Sequence, residues 1–223
     1  ITCRDWSSDV CSSDLQSHCL NNKGPAMYEE ITNIPFLVRW KGRVQEKQIS
    51  SQLVSHIDVV PTILDVFQIP ASKVLEGNSM LPLFSQPNQP LNSQIYIEFG
   101  RYEVDHDGFG GFQPIRCVCD ERYKLVINLL TTDELYDLQQ DSGEMINLIN
   151  SQDSEMQAIR NGLHDKLLEW MNATRDPFRG YYWERRPWRL DAKPTSWAYT
   201  GFTRQREERS EERRVGKECR SRW

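Results

Sequence analysis

The sequence predicts an α/β protein that ends in a small α+β subdomain, an antiparallel sheet followed by a terminal helix. Three observations support this prediction. A short apolar run at 36–40, opened by Pro35, fits a buried strand. Two β-rich runs at 115–120 and 123–128 are separated by a turn of the length that joins adjacent antiparallel strands. Apolar residues then recur at spacings of three and four between Met156 and Trp170, which is the helical period.

An earlier helix is predicted after Asp58, which is a suitable N-cap residue. Pro61 falls in the first turn, where its missing N–H matters little. Four apolar residues follow at helical spacing: Val60, Ile63, Leu64 and Phe67. This pattern predicts an amphipathic helix packed on a sheet. We interpret His56 and Asp58 as a loop histidine and a helix cap rather than as a catalytic pair.

Composition excludes some classes of protein. The net charge of −5 disfavours a nucleic-acid binder, which would carry a basic domain. No run of about 18 apolar residues is present, so no membrane-spanning segment is seen. Cys117 and Cys119, two apart on a predicted strand, would face the same side. We interpret them as reduced strand residues rather than as zinc ligands.

The two ends of the chain resemble translated sequencing adapters. Residues 5–15 match a reading frame of one adapter, and residues 209–223 match a frame of its partner. We therefore interpret residues 1–15 and 209–223 as artefacts and exclude them from fold reasoning. The alternative is that they are two natural polar tails. On the first interpretation, residues 16–208 are an internal fragment of a longer protein.

A lysine loop organises the first part of this fragment. Lys23 precedes a Gly-Pro turn, a Tyr-Glu pair at Tyr28 and Glu29, and the predicted strand. Loops that a rigid scaffold holds in place often carry function. His18 lies five residues before Lys23.

This order of a Lys-Gly pair, a Tyr-Glu pair and an Ile-Pro pair before a strand resembles the sulfatase family. Two longer stretches carry the same resemblance. Residues 55–64 are similar to a Ser-His-x-Asp-x-x-Pro-Thr-x-Leu signature, and residues 134–148 to a Glu-Leu-Tyr-Asp-Leu-x-x-Asp-x-x-Glu-x-x-Asn-Leu signature. The resemblance covers about residues 18–172. It implies that residues 16–90 end an alkaline phosphatase-like mixed-sheet domain and that residues 91–175 form its C-terminal subdomain.

The resemblance also implies an activity, the hydrolysis of a sulfate ester of a small molecule or a glycan. In this family a formylglycine, made from Cys or Ser, attacks sulfur, and a calcium ion polarises the sulfate. Lys23 would contact the sulfate or leaving-group oxygen, where a fixed cation stabilises developing charge. His18 would protonate or orient the leaving alcohol.

The family's nucleophile and metal ligands are expected upstream of this chain, so no metal ligand is assigned here. Ser85 begins a Ser-x-Pro sequence, but Gln89 stands where the nucleophile motif requires arginine. The chain alone is therefore predicted to be inactive. Two other interpretations stay open: a phosphoesterase or phosphonate hydrolase of the same superfamily, and a non-catalytic glycan-binding relative.

Two further regions are candidates for binding. His106 and Asp107 lie in a glycine-rich loop, where backbone can approach a ligand closely. We expect these two residues to hydrogen-bond substrate hydroxyl groups. The alternative is that the segment is simply a flexible loop with packed aromatic residues. Residues 176–208 interleave arginine with aromatic residues. This tail would wrap the domain, form an oligomer contact or, third, bind an anionic substrate.

Overall fold

The structure is a computed structural model, and it describes residues 25–44, 46–102, 111–190 and 192. The helices are α1 (Glu29–Thr32), α2 (Val59–Val66), α3 (Ser154–Thr174) and α4 (Tyr181–Glu184), and the strands are β1 (Ile95–Tyr102), β2 (Gly111–Cys119), β3 (Tyr123–Asn128) and β4 (Glu134–Asp137). The described residues fall into two compact units: the first contains residues 25–37 and 96–192, and the second contains residues 38–95. None of the helices in the described part of the chain is long and apolar enough to cross a membrane.

The first unit is built on a four-stranded sheet in the order β1-β2-β3-β4. Strands β2 and β3 are antiparallel, with Ile115 opposite Asn128, and so are β3 and β4, with Tyr123 opposite Asp137. The predicted hairpin is confirmed. The turn between the two strands is closed by Asp120, whose carboxylate accepts hydrogen bonds from the backbone N–H groups of Arg122 and Tyr123.

One face of this sheet packs on α3. Its N-cap is Asp153, whose carboxylate accepts a hydrogen bond from the Glu155 N–H. Its C-cap is Arg175, which adopts the left-handed conformation common at helix C-termini. The shared core is formed by Val118, Tyr123, Leu125, Ile127, Leu135, Leu163, Leu167, Leu168 and Met171. The predicted terminal helix is therefore confirmed.

The opposite face of the sheet buries a segment from far away in the chain. Side chains alternate along a strand, so Ile115 and Cys117 of β2 and Val126 of β3 face away from α3. They pack against Met27, which is 3% exposed. Cys117 and Cys119 are free and buried in β2, as the sequence predicts.

The described part of the C-terminal tail covers the same unit. Arg116 forms a two-point ion pair with Asp176, at 2.5 and 3.0 Å. Arg186 forms another with Asp133, at 2.7 and 2.8 Å, and Trp183 is 1% exposed. These contacts support wrapping as the role of the tail, because one tail carboxylate, Asp176, and one tail guanidinium, Arg186, are each paired with an oppositely charged side chain of the sheet unit.

The second unit is organised by Asp58 at the start of α2. Its carboxylate accepts hydrogen bonds from the backbone N–H groups of Ser55 and Asn78 and from the side-chain amide of Asn92. The Thr62 hydroxyl accepts a hydrogen bond from the Met80 N–H. Asp58 lies at the N-cap position of α2, but its side chain makes no cap hydrogen bond to that helix, so the predicted cap is wrong in this respect. The carboxylate instead closes the turn at Ser55 and fixes the loop that carries Asn78.

Two predictions of burial are wrong. Residues 36–40 form no strand, and Leu37 is 90% exposed. No strand among the described residues pairs with this run, and a strand without a neighbour leaves its backbone groups unsatisfied. The predicted stripe on α2 is also exposed, at Val60, Ile63 and Phe67. The helix is buried through Pro61 and Thr62 instead, because the loop held by Asp58 packs on that face.

Candidate functional site

The four residues predicted to act on substrate lie outside the described residues. They are Lys23, His18, His106 and Asp107. The structure does describe the chain from Pro25 onward, two residues after Lys23. The segment 27–32 is therefore the described part of the lysine loop, and the contacts that hold it decide how this loop is supported.

Lys124, in the middle of β3, is the main support of the segment. Its side chain is fully buried. Its Nζ atom lies 2.9 Å from the Met27 carbonyl oxygen, 2.9 Å from Glu144 Oε1 and 2.5 Å from Glu29 Oε1. An ammonium group has three N–H donors. Each donor of Lys124 therefore has an oxygen acceptor, and two of these acceptors belong to the segment.

The charge of Lys124 is maintained by its neighbours. Burial of the ammonium lowers its pKa, but its neighbours Cys117, Glu144 and Glu29 raise it and together outweigh burial. The net pKa of Lys124 is raised, so the side chain is a cation at neutral pH. Unpaired, a buried cation of this kind would be strongly destabilising. The carboxylates of Glu144 and Glu29 are therefore needed beside the Lys124 ammonium group.

Glu144 connects the cation to the backbone of the segment. One carboxylate oxygen binds Lys124, and the other accepts a hydrogen bond from the Glu29 N–H at 2.5 Å. Glu144 itself has a φ of +53°, in the left-handed region that is uncommon for a side-chain-bearing residue. The turn that places this buried carboxylate thus includes an unfavourable backbone conformation. The contacts of the carboxylate with Lys124 and with the Glu29 N–H stabilise that conformation.

A pair of tyrosines adds a second contact. The rings of Tyr28 and Tyr136 lie 6.3 Å apart between centroids, at an angle of 53°. The Tyr136 hydroxyl donates a hydrogen bond to Glu134 at 3.3 Å. Burial and then the Glu134 carboxylate raise the pKa of both phenols. Both tyrosines are therefore neutral across the physiological range and act through packing and hydrogen bonds.

The remaining polar residues of the 134–148 signature hold its own turn. Asp137 accepts three hydrogen bonds from Arg122. Asp141 accepts one from the Ile146 N–H. Asn147 accepts from the Leu135 N–H and donates to the Asp133 carbonyl. The signature is thus a platform that presents Tyr136 and Glu144 to the segment after Lys23.

The described residues do not supply the family's metal or nucleophile. Within the described ranges, no three or more His, Cys, Asp or Glu side chains are grouped so that they could hold a metal ion. Burial raises the pKa of the Cys119 thiol to about 12 and that of Cys117 well above its usual value. Neither is an activated thiol. The described residues therefore offer no group of side chains that fits the calcium ion that the resemblance implies.

Sequence reasoning did not identify Lys124 and Glu144 as parts of a site. A signal was present, since Lys124 interrupts the otherwise apolar run of β3. A lysine at the centre of a strand buried on both faces requires carboxylate partners. Of these partners, Glu144 lies 20 positions from Lys124 and Glu29 much farther, so no local pattern identifies them.

A family described as "N-sulphoglucosamine sulphohydrolase, C-terminal" matches residues 18–173 of the chain. The chain belongs to the sulfatase family. This membership confirms the resemblance found in the sequence and the α/β, alkaline phosphatase-like fold class. Both signatures described above lie within the matched residues, and the platform at 134–148 is one of them.

Relatives of the chain include several sulfatases. The chain is 43% identical over 180 residues to "Uncharacterized sulfatase YidJ" of Escherichia coli (strain K12), covering 81% of this chain and 34% of that protein. It is 27% identical over 170 residues to the "Delta 4,5-hexuronate-2-O-sulfatase" of Bacteroides thetaiotaomicron, covering 74% and 34%. It is 32% identical over 125 residues to the "N-acetylglucosamine-6-sulfatase" of Capra hircus, covering 51% and 22%.

Among solved structures, a "2-O GAG sulfatase" aligns with a TM-score of 0.47 and 25% sequence identity, over 61% of this chain and 27% of that chain. The chain spans about a third of the length of the first curated relatives that it matches.

Proposed function

We propose that the protein containing this chain is a sulfuric ester hydrolase that acts on sulfated carbohydrates. The observation that supports this most directly is the sulfatase family match over residues 18–173, together with 43% identity to a bacterial sulfatase. Two relatives are named for sugar substrates, a hexuronate and N-acetylglucosamine. A sugar sulfate is therefore the substrate class that these relatives favour.

Lys23 and His18 are the proposed catalytic residues of this chain. Sulfate ester hydrolysis builds up negative charge on the leaving oxygen, and a fixed ammonium group near that oxygen stabilises the transition state. A histidine can donate the proton that the leaving alcohol needs, because its ordinary pKa lies close to neutral pH. The calcium ion and formylglycine of the family supply Lewis-acid polarisation and the nucleophile, and we expect both from other parts of the full-length protein.

His106 and Asp107 are the proposed substrate-binding residues. An imidazole and a carboxylate can together donate to and accept from sugar hydroxyl groups. Their glycine-rich surroundings allow backbone to come close to a sugar ring. We expect them to affect which sulfated sugar is bound rather than the chemical step.

The test is turnover by the full-length enzyme on matched esters. Release of 4-nitrophenol would be compared for 4-nitrophenyl sulfate, 4-nitrophenyl phosphate and 4-nitrophenyl phenylphosphonate. Sulfate release from N-acetylglucosamine 6-sulfate would test the carbohydrate class. We expect the sulfate esters to have the highest kcat/KM. Faster turnover of the phosphate or phosphonate ester would favour that chemistry instead, and no turnover of any ester would favour a non-catalytic glycan-binding protein.

The role of Lys23 can be tested in the same enzyme with a matched control. Lys23→Ala is expected to lower kcat by about 10²-fold or more, since removal of one transition-state charge partner has effects of that order. Lys41→Ala removes an exposed lysine of a surface turn and should leave kcat unchanged. Equal activity of the two variants would contradict the assignment of Lys23. The chain of 223 residues by itself is expected to release no sulfate.

A further inference from the structure

We propose that Lys124 and Glu144, which lie on the C-terminal sheet unit, are positioning residues for the catalytic lysine loop. The proposal rests on the proposed function of Lys23, and it assigns the role of holding that loop to the buried contacts of Lys124 and Glu144 with Met27 and Glu29.

The first step of the argument is the number of points at which the segment is held. The Met27 side chain is buried against the sheet, and its carbonyl accepts from Lys124. The Glu29 carboxylate binds Lys124, and the Glu29 N–H donates to Glu144. Tyr28, between them, packs on Tyr136. Side chain and backbone are thus both held over three consecutive residues.

The second step is the short distance along the chain from these contacts to Lys23. Met27 comes four residues after Lys23, and a chain of that length spans at most about 14 Å. Pro25 lies between them and has a restricted φ. The place where Met27 is fixed therefore limits the region that the Lys23 ammonium group can reach. Loss of that fixed point would widen the region, and transition-state stabilisation depends on well-placed charges.

The third step is the chemistry of the anchor. A buried ion pair is weak support for stability in itself, because removing charges from water offsets the attraction between them. Such a network does impose one geometry, since Lys124 has three donors directed at three separate oxygens. A methionine at this position would fill a similar volume without that directional requirement. Lys124→Met alone leaves the buried Glu144 carboxylate without its cation and is expected to destabilise the unit. Lys124→Met/Glu144→Gln removes both charges, so we expect it to affect the position of the segment more than the folding of the unit.

The kinetic test uses the full-length enzyme with 4-nitrophenyl sulfate. Three variants are compared. Lys124→Met removes the cation alone, and the double variant Lys124→Met/Glu144→Gln leaves fewer unpaired buried charges. Glu29→Gln keeps Lys124 paired with Glu144. We expect the first two to lower kcat by about 10²-fold, the loss typical of a small displacement of a catalytic group, with a smaller change in KM. Glu29→Gln should show a smaller loss of kcat.

The matched control is Asp133→Asn, which removes a buried carboxylate from the same unit but touches neither Met27 nor Glu29.

A structural readout that does not need activity is hydrogen exchange at the Glu29 N–H. This amide donates to Glu144, so its exchange should accelerate at least tenfold in the two Lys124 variants and remain unchanged in Asp133→Asn. Unchanged exchange in a folded Lys124→Met/Glu144→Gln variant would overturn the anchoring.

The kinetic and structural results separate the two proposals. If the wild type hydrolyses the sulfate ester but the Lys124 variants lose no more kcat than Asp133→Asn, the positioning role is wrong and the proposed function stands. If the wild type hydrolyses no sulfate ester, the proposed function fails together with the catalytic part of the inference, and exchange at Glu29 still decides whether Lys124 anchors the segment.

Discussion

The Nε2 atom of His164 lies 2.7 Å from the carbonyl oxygen of Trp183. A carbonyl only accepts hydrogen bonds, so Nε2 carries the proton. The other ring nitrogen, Nδ1, lies 3.4 Å from the guanidinium group of Arg189, and a guanidinium group only donates hydrogen bonds. The surroundings are therefore suited to a neutral imidazole, and this fully buried side chain connects α3 to the tail.

Acid should destabilise the chain through His164. Burial lowers the pKa of His164 to about 4, below its ordinary value of 6.5. Between these values the unfolded chain binds a proton that the folded chain does not. The stability contribution is therefore complete above pH 6.5, falls as the pH is lowered and is lost below about pH 4; it amounts to about 3 kcal/mol. Denaturant unfolding at a series of pH values measures this.

The matched variants for that experiment are His164→Asn and His56→Asn. An asparagine side chain does not titrate, so in His164→Asn the free energy of unfolding should depend less on pH between 6.5 and 4. His56→Asn serves as the control because it replaces an exposed histidine of the second unit. Identical pH dependence in wild type and His164→Asn would contradict the assignment.

Removing Asp176 should destabilise the unit strongly. Asp176 pairs with Arg116 through two hydrogen bonds, and both side chains are buried. Asp176→Ala would leave the buried Arg116 guanidinium with only the longer contact to the exposed Glu98 carboxylate, at 3.6 Å, and loss of a buried partner costs about 3–5 kcal/mol. Glu169→Ala, at an exposed position of α3, is expected to change the free energy of unfolding by less than about 0.5 kcal/mol. Urea unfolding compares them, and similar midpoints would show that the pair contributes little.

Two glycines should respond to alanine in opposite directions. A Cβ atom at Gly77 would lie 2.1 Å from the Ile57 carbonyl oxygen, which is a backbone atom. Gly77→Ala is therefore expected to lower stability by about 1–3 kcal/mol through overpacking. Gly162 lies inside α3 with nothing within 4 Å of its Cβ position, so Gly162→Ala should raise stability by about 0.5–1 kcal/mol. Thermal unfolding of both variants checks the signs, and a stabilised Gly77→Ala would contradict the close approach.

The two strand cysteines should be chemically silent in the folded protein. Burial raises the pKa of both thiols, that of Cys119 to about 12, so almost no thiolate forms near neutral pH. Iodoacetamide in mildly alkaline buffer should leave Cys117 and Cys119 unmodified in the native chain and modify both in guanidinium chloride. Peptide mapping by mass spectrometry measures each site separately. Equal rates in the two conditions would show that β2 opens readily.

Local pattern was enough to predict the elements that bury their side chains against sequence neighbours. The β2–β3 hairpin and α3 belong to this group, since their periodicity and turn residues agree with their environment. Residues 36–40 and the stripe on α2 do not, because apolar character fixes a preference for burial but not the presence of a covering partner. Local sequence alone cannot show whether such a partner is within reach.

The residues of the candidate site also divide into those that the sequence could suggest and those that it could not. Lys23 and His18 rest on the family resemblance, His106 and Asp107 rest on the composition of a glycine-rich loop, and all four stay predictions. Lys124 and Glu144 became apparent only in three dimensions, because a polar residue in a strand is ordinarily assigned to the solvent side. Their burial depends on each other and on Glu29, which are brought together by the sheet.

The separation of Glu29 from Glu144 by 115 positions also sets an order of events during biosynthesis. The ribosome adds about 5–20 residues per second. Met27 and Glu29 therefore leave the ribosome several seconds before β3 and Glu144 are available to receive them. A nascent chain that terminates before Glu144 can contain every residue of the lysine loop and still lack its support. The contacts that hold Met27 and Glu29 can therefore form only after β3 and Glu144 have been synthesised.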